Sequence, residues 1–186
     1  MKTKKRKTTK FTVPTALALI CCFAVILIIN NQPTENTAKD EIISLKDIPD
    51  YSGSAFIEIN GNEPYFSDDD YTTSSFEYYA DLDELGRCGT AYACVGTDIM
   101  PTEERGQIGK IKPSGWQTVK YDFIDGKYLY NRCHLIAYRL TGENANEKNL
   151  VTGTRYLNVD GMLPFEDMVA DYVKETNHHV LYRVTP

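Results

Sequence analysis

The chain of 186 residues carries 26 acidic and 20 basic side chains, a formal net charge of −6, and its length suits one domain with a terminal appendage. Residues 1–30 hold six of the bases and no acid, so the remainder sets 14 bases against 26 acids, a net charge of −12. That balance excludes a broad basic face holding a polyanion through many phosphate contacts. Any such ligand has to be gripped locally, by a few arginines and a divalent cation.

Residues 2–10 contain Lys2, Lys4, Lys5, Arg6, Lys7 and Lys10, and residues 16–29 run without a polar side chain. Together they read as a membrane-targeting signal. Counting back to Phe11 gives 19 positions interrupted only by Thr12, Pro14 and Thr15, a length between a signal-peptide core and a full span. No small-x-small cleavage pattern follows directly. That favours an uncleaved anchor over residues 11–29, with residues 1–10 as a basic cytoplasmic flank and the rest facing outward; secretion after signal cleavage is the alternative. Cys21 and Cys22 fall inside this segment. Residues 30–44 are polar enough for a linker, and the folded part, 45–186, begins near Leu45.

Within that part, residues 55–60 read as a strand closed by Asn60-Gly61-Asn62, and residues 75–85 as a short helix on the spacing of Phe76, Tyr79 or Ala80, and Leu82. Residues 89–96 are small and β-compatible, whereas 97–113 form a polar loop that contains Arg105-Gly106-Gln107. Residues 116–124 and 128–138 flank Asp125-Gly126, a two-residue signal for a β-hairpin. Residues 150–157 read as another strand. Phe165, Met168, Val169, Tyr172 and Val173 then recur at helical spacing behind Pro164, with Glu166 off that stripe, and residues 180–184 give a last strand. Cys88 and Cys94 lie about 20 Å apart on a straight strand and pair only if the segment bends.

The run 128–138 has the aromatic and branched composition of a buried strand, yet it sets Arg132 two residues before His134. A neutral imidazole accepts a proton from water, and a nearby guanidinium holds a phosphate. A satisfied histidine at a strand end is the ordinary alternative. Cys133 raises a cysteine-histidine hydrolase as a rival, but adjacent strand residues point to opposite faces, which places Cys133 in the core. His178 and His179 stand in a polar turn and read as exposed.

The order of a strand with His134, a loop, a strand, Asn158 and a helix with Glu166 resembles the ββα-metal, or His-Me finger, core of the DNA/RNA non-specific endonuclease family. The family's Asp-Arg-Gly-His signature stands here as Asn131-Arg132-Cys133-His134, and Asn149, Asn158 and Glu166 fit the family's spacing over residues 50–186. The resemblance looks closest to the bacterial secreted or surface-anchored branch. It implies an α+β fold with an antiparallel sheet and hydrolysis of phosphodiesters in DNA and RNA by one Mg²⁺-type ion, with Mn²⁺ as a substitute. It implies His134 as general base, Asn158 as metal ligand, Glu166 orienting a metal-bound water and Arg132 positioning the phosphate. Arg105, ahead of Arg87, is the expected second phosphate contact, and Asn149 is expected beside the substrate.

Asn131 and Cys133 depart from the signature, and a strand position that demands glycine for close approach accepts a thiol only with adjustment. Family members also continue with further strands where this chain stops at Pro186, so an unpaired sheet edge is expected. Two other readings stay open: a truncated, inactive nuclease, and a surface module in which tyrosines and acids bind protein or carbohydrate and His134 is structural. No protein partner is legible.

Overall fold

The computed structural model describes residues 48–186. The expected anchor, its flank and the linker lie outside these residues. Among the described residues no helix is long and apolar enough to cross a membrane.

Two antiparallel sheets carry the fold. Strands β1 (Phe76–Tyr79), β2 (Ala91–Val95) and β5 (Val180–Val184) make one sheet in the order β1-β2-β5, and β3 (Tyr130–His134) pairs with β4 (Leu150–Thr154) in the other. A single helical turn, α1 (Tyr138–Thr141), follows β3, and the long helix α2 (Leu163–Thr176) precedes β5. Central strand β2 turns one face of small and branched residues to the core: Ala91, Ala93 and Val95 are fully buried and join Leu135, Ile136, Leu140, Ala170 and Val173 there. Small side chains there let α1 and α2 approach the sheet closely.

Several expectations are corrected. Residues 75–85 hold β1 and a reversal, not a helix. The aromatic run Phe76 to Tyr79 pairs with β2 from Phe76↔Cys94 to Tyr79↔Ala91, where ladder bonds and cross-strand packing outweigh the weak helical spacing. Asp83 then turns the chain, its carboxylate accepting from the Leu85 and Arg87 amides. Residues 55–60 find no partner strand among the described residues. Phe56, Ile57 and Ile59 stay exposed, and Asn60, Gly61 and Asn62 take left-handed φ values of 49°, 59° and 64°.

The expected hairpin over 116–138 shrinks to one bridge, Lys120↔Tyr128, flanked by the bonds Tyr121 N to Lys127 O and Leu129 N to Val119 O. The partner of β3 is instead β4, registered from Tyr130↔Thr154 to His134↔Leu150. Strand β4 stops at Thr154 because Leu157–Met162 wind into a π-helical turn, closed where the Leu163 amide donates to the Asn158 carbonyl.

Helix α2 forms where expected, with Pro at its start, but its buried face is rotated. Glu166, Ala170 and Val173 point inward, whereas Phe165, Met168 and Tyr172 of the apolar stripe are 38%, 65% and 46% exposed. The last strand, β5, forms as expected and pairs with β2. Within the described residues β1 and β5 are the sheet's edges.

Candidate active site

Strand β3 places alternate residues on one face, so Arg132 and His134 point together into a cavity of about 250 Å³ and Cys133 points away from it. The Cys133 side chain is fully buried and its thiol is pushed up to about 11 by burial. It is accommodated by Gly153 on β4: a Cβ there would meet the Cys133 sulfur at 2.6 Å. The thiol at the signature's third position therefore fits because the opposite strand gives up its own side chain.

His134 is 6% exposed. Its Nε2 lies 2.7 Å from the Asn144 carbonyl, and a carbonyl only accepts, so Nε2 carries the proton and Nδ1 keeps the lone pair. Burial lowers the imidazole's pKa, the Asn144 bond raises it and the Arg105 cation lowers it again. The ring is thus held neutral, with a defined basic nitrogen. Asn144 reaches it because Gly142, at φ 73°, closes α1 and turns the chain back.

Nδ1 accepts from the Arg105 guanidinium at 3.2 Å. The loop bearing Arg105 is tied to α1 by the Tyr138 hydroxyl, which donates to Glu103 O at 2.9 Å. Gly106 lets that loop pass Asn144, whose amide nitrogen would stand 2.7 Å from a Cβ there. Arg132 is pinned from behind: its guanidinium donates to Ile111 O and Gly109 O and stacks 3.7 Å over the Trp116 ring.

Glu166 enters the cavity from the first turn of α2. Burial drives its carboxyl up to about 7, against the pull of Arg139 and Arg105. Asn158, in the π-helical turn, lines the same cavity; such turns occur frequently at functional sites. His134, Arg132, Arg105, Asn158 and Glu166 are thus brought together. Asn149 is not. It is fully buried, its Oδ1 accepting from Ile136 N and its Nδ2 donating to Ile136 O, both at 2.9 Å. It braces the chain just after His134, and spacing along the sequence does not reveal which way a side chain turns.

Of the charged residues that line the cavity, one escaped the sequence reading. Arg139, on α1, lines the cleft and pairs with Asp167, next to Glu166. Its signal was an isolated base in the apolar run Leu135 to Leu140. Arg87 lies elsewhere, paired with Asp83. His178 and His179 contact Tyr172 and Asp98 rather than the cleft.

A family model described as DNA/RNA non-specific endonuclease matches residues 67–186. The chain belongs to that family. The endonuclease-family match spans β1 through β5 and so includes every residue of the cleft. Among solved structures the chain resembles NucA from Streptococcus agalactiae without metal, at 26% identity and a TM-score of 0.62, over 77% of this chain and 70% of that one. It resembles the same NucA with a magnesium ion bound at 27% identity and a TM-score of 0.55, over 62% of this chain and 58% of NucA. The alignment thus spans little more than half the length of magnesium-bound NucA. No curated protein matches.

Proposed function

We propose that this domain is a metal-dependent, sugar-nonspecific endonuclease that hydrolyses phosphodiester bonds in extracellular DNA and RNA. The observation that carries this reading is the orientation of His134: its lone-pair nitrogen faces a cavity shared by three arginines, Asn158 and Glu166.

The donors suit a hard cation. Asn158 offers an amide oxygen and Glu166 a carboxylate in one cavity, and among the described residues no group of three or more His, Cys, Asp or Glu makes a fully protein-ligated site. Mg²⁺ favours such an arrangement because it keeps several waters and takes few protein ligands; Mn²⁺ accepts the same donors. When bound, the ion would polarise the phosphoryl group and stabilise the charge on the leaving oxygen.

In the chemical step His134 Nδ1 takes a proton from water as its oxygen attacks phosphorus. The P–O bond to the leaving oxygen breaks, and that oxygen is then protonated from solvent. Arg132, held by Gly109, Ile111 and Trp116, presents a fixed guanidinium to the developing charge, which is where preorganised donors act most strongly. Arg105 moves from Nδ1 to the phosphate as substrate arrives, freeing the base. Arg139 supplies a third guanidinium, released from Asp167.

The basic flank and apolar run before residue 30 support a membrane-held, outward-facing protein. Protease added to intact cells would degrade the domain in that case and leave it untouched if it were inside. The activity itself is tested by incubating the purified protein with plasmid DNA and with RNA, with Mg²⁺ or with chelator. Cleavage of both, abolished by chelator, is expected. No cleavage of either would leave an inactive nuclease or a binding module.

A further inference from the structure

Charge is strongly segregated along the chain. Residues 60–104 hold 11 acids and one base, whereas residues 105–142 hold seven bases and two acids. Between the cleft and the tip of the shortened hairpin, residues 109–129 add to this charge an unusual set of exposed rings. Phe123 is 84% exposed, and Tyr121 and Tyr128 are about half exposed. The Tyr121 and Phe123 rings stand 5.2 Å apart, and Lys120 lies 4.5 Å over the Tyr128 ring.

Both acids of this arm are already neutralised, Asp122 by Lys127 and Asp125 by Arg155. Lys110 and Lys112 have no ion-pair partner among the described residues. The arm is joined to the cleft by Arg132, which lines the cavity while its guanidinium grips Gly109 O, Ile111 O and the Trp116 ring. A strand leaving the cleft past Arg132 would meet lysines and then open aromatic faces.

We infer that residues 109–129 are a docking arm for a single-stranded stretch of nucleic acid, with Lys110 and Lys112 on its phosphates and Tyr121 and Phe123 stacking on its bases. The inference deepens the proposed nuclease function and rests on it. Stacking demands unpaired bases, since a duplex hides their faces and presents chiefly phosphate. That is why a ring as exposed as Phe123, whose ring contact is Tyr121, fits a single strand better than a duplex. It also answers the domain's adverse net charge, because the polyanion follows the basic tract 105–142 and avoids the acidic tract 60–104.

The test uses the full chain and its Tyr121→Ala/Phe123→Ala double variant, which removes exposed rings and so leaves folding nearly unchanged. Three substrates are compared: bis(p-nitrophenyl) phosphate, too small to reach the arm, a 20-nucleotide oligothymidylate, and a 20-base-pair duplex. The variant should hydrolyse the small diester like wild type, show a KM for oligothymidylate raised about tenfold, and change little on duplex. An unchanged KM for oligothymidylate, or equal losses on single strand and duplex, overturns the arm. Fluorescence anisotropy of labelled oligothymidylate in chelator reads binding without turnover. If wild type cleaves nothing yet binds about tenfold tighter than the variant, the arm stands and the nuclease reading falls; equal binding removes the arm whatever the activity.

Discussion

The guanidinium of Arg105 donates to His134 Nδ1 at 3.2 Å, so a cation rests on the very nitrogen that the proposed mechanism uses as its base. The same side chain that lowers the imidazole's affinity for protons also covers that nitrogen, and in the proposed mechanism the substrate's anion draws it aside. With His134 changed to Ala, cleavage should fall about a thousandfold, while circular dichroism and Mg²⁺ binding stay close to wild type. Retained cleavage in that variant would remove His134 as the base.

Changing Arg105 to Ala should do two things at once. Loss of a phosphate contact should lower kcat/KM about a hundredfold. Loss of the cation should let the His134 pKa rise, because Arg105 contributes to its depression. The acid limb of the pH profile should therefore move to higher pH, a shift that a variant affecting substrate grip alone would not show.

Asn158→Ala removes the amide oxygen without altering net charge. Cleavage should fall steeply and recover partly at high Mg²⁺, and chelator should silence the wild type. An Mg²⁺ titration identical to that of wild type would discard Asn158 as ligand.

Glu166 gives a stability signature in the metal-free protein. Its carboxyl is raised from 4.5 to about 7 in the fold, so the folded state binds more protons than the unfolded one between those values and loses stability as pH rises through them. The cost is complete above pH 7 and absent below pH 4.5. Glu166→Gln should thus stabilise the protein by about 2 kcal/mol at pH 8 and scarcely at pH 4. Urea unfolding at the two pH values reads the difference, and an equal gain at both would contradict it.

Asn149→Ala should unfold more easily, by about 3 kcal/mol, because it strands the buried amide and carbonyl of Ile136 without partners. If the urea midpoint does not move, the brace is unimportant.

Much of the cleft was legible because it is written in residue types that chemistry restricts: a histidine beside an arginine, an amide and a carboxylate at set distances. Asn149 carried the right type but the wrong direction, since only the register of β3 on β4 turns it under Ile136. Arg139 was overlooked because the expected strand 128–138 ends just before it, and the turn of α1 that aims it into the cleft depends on Gly142. For Phe76 to Tyr79, pairing with β2 overrode a helical spacing. On α2 the buried face runs through Glu166, Ala170 and Val173 and not along the most apolar stripe, a choice made by tertiary packing that helical spacing does not encode.

The seat of the Cys133 thiol over Gly153 has a kinetic meaning as well. A sulfur fully buried over Gly153 of the neighbouring strand, and held protonated by its burial, is alkylated only when the packing around β3 and β4 opens. Modification of Cys133 by a small maleimide therefore clocks the breathing of β3 away from β4, the same motion that carries Arg132 and His134 out of alignment, and reports the lifetime of the assembled cleft with no substrate present.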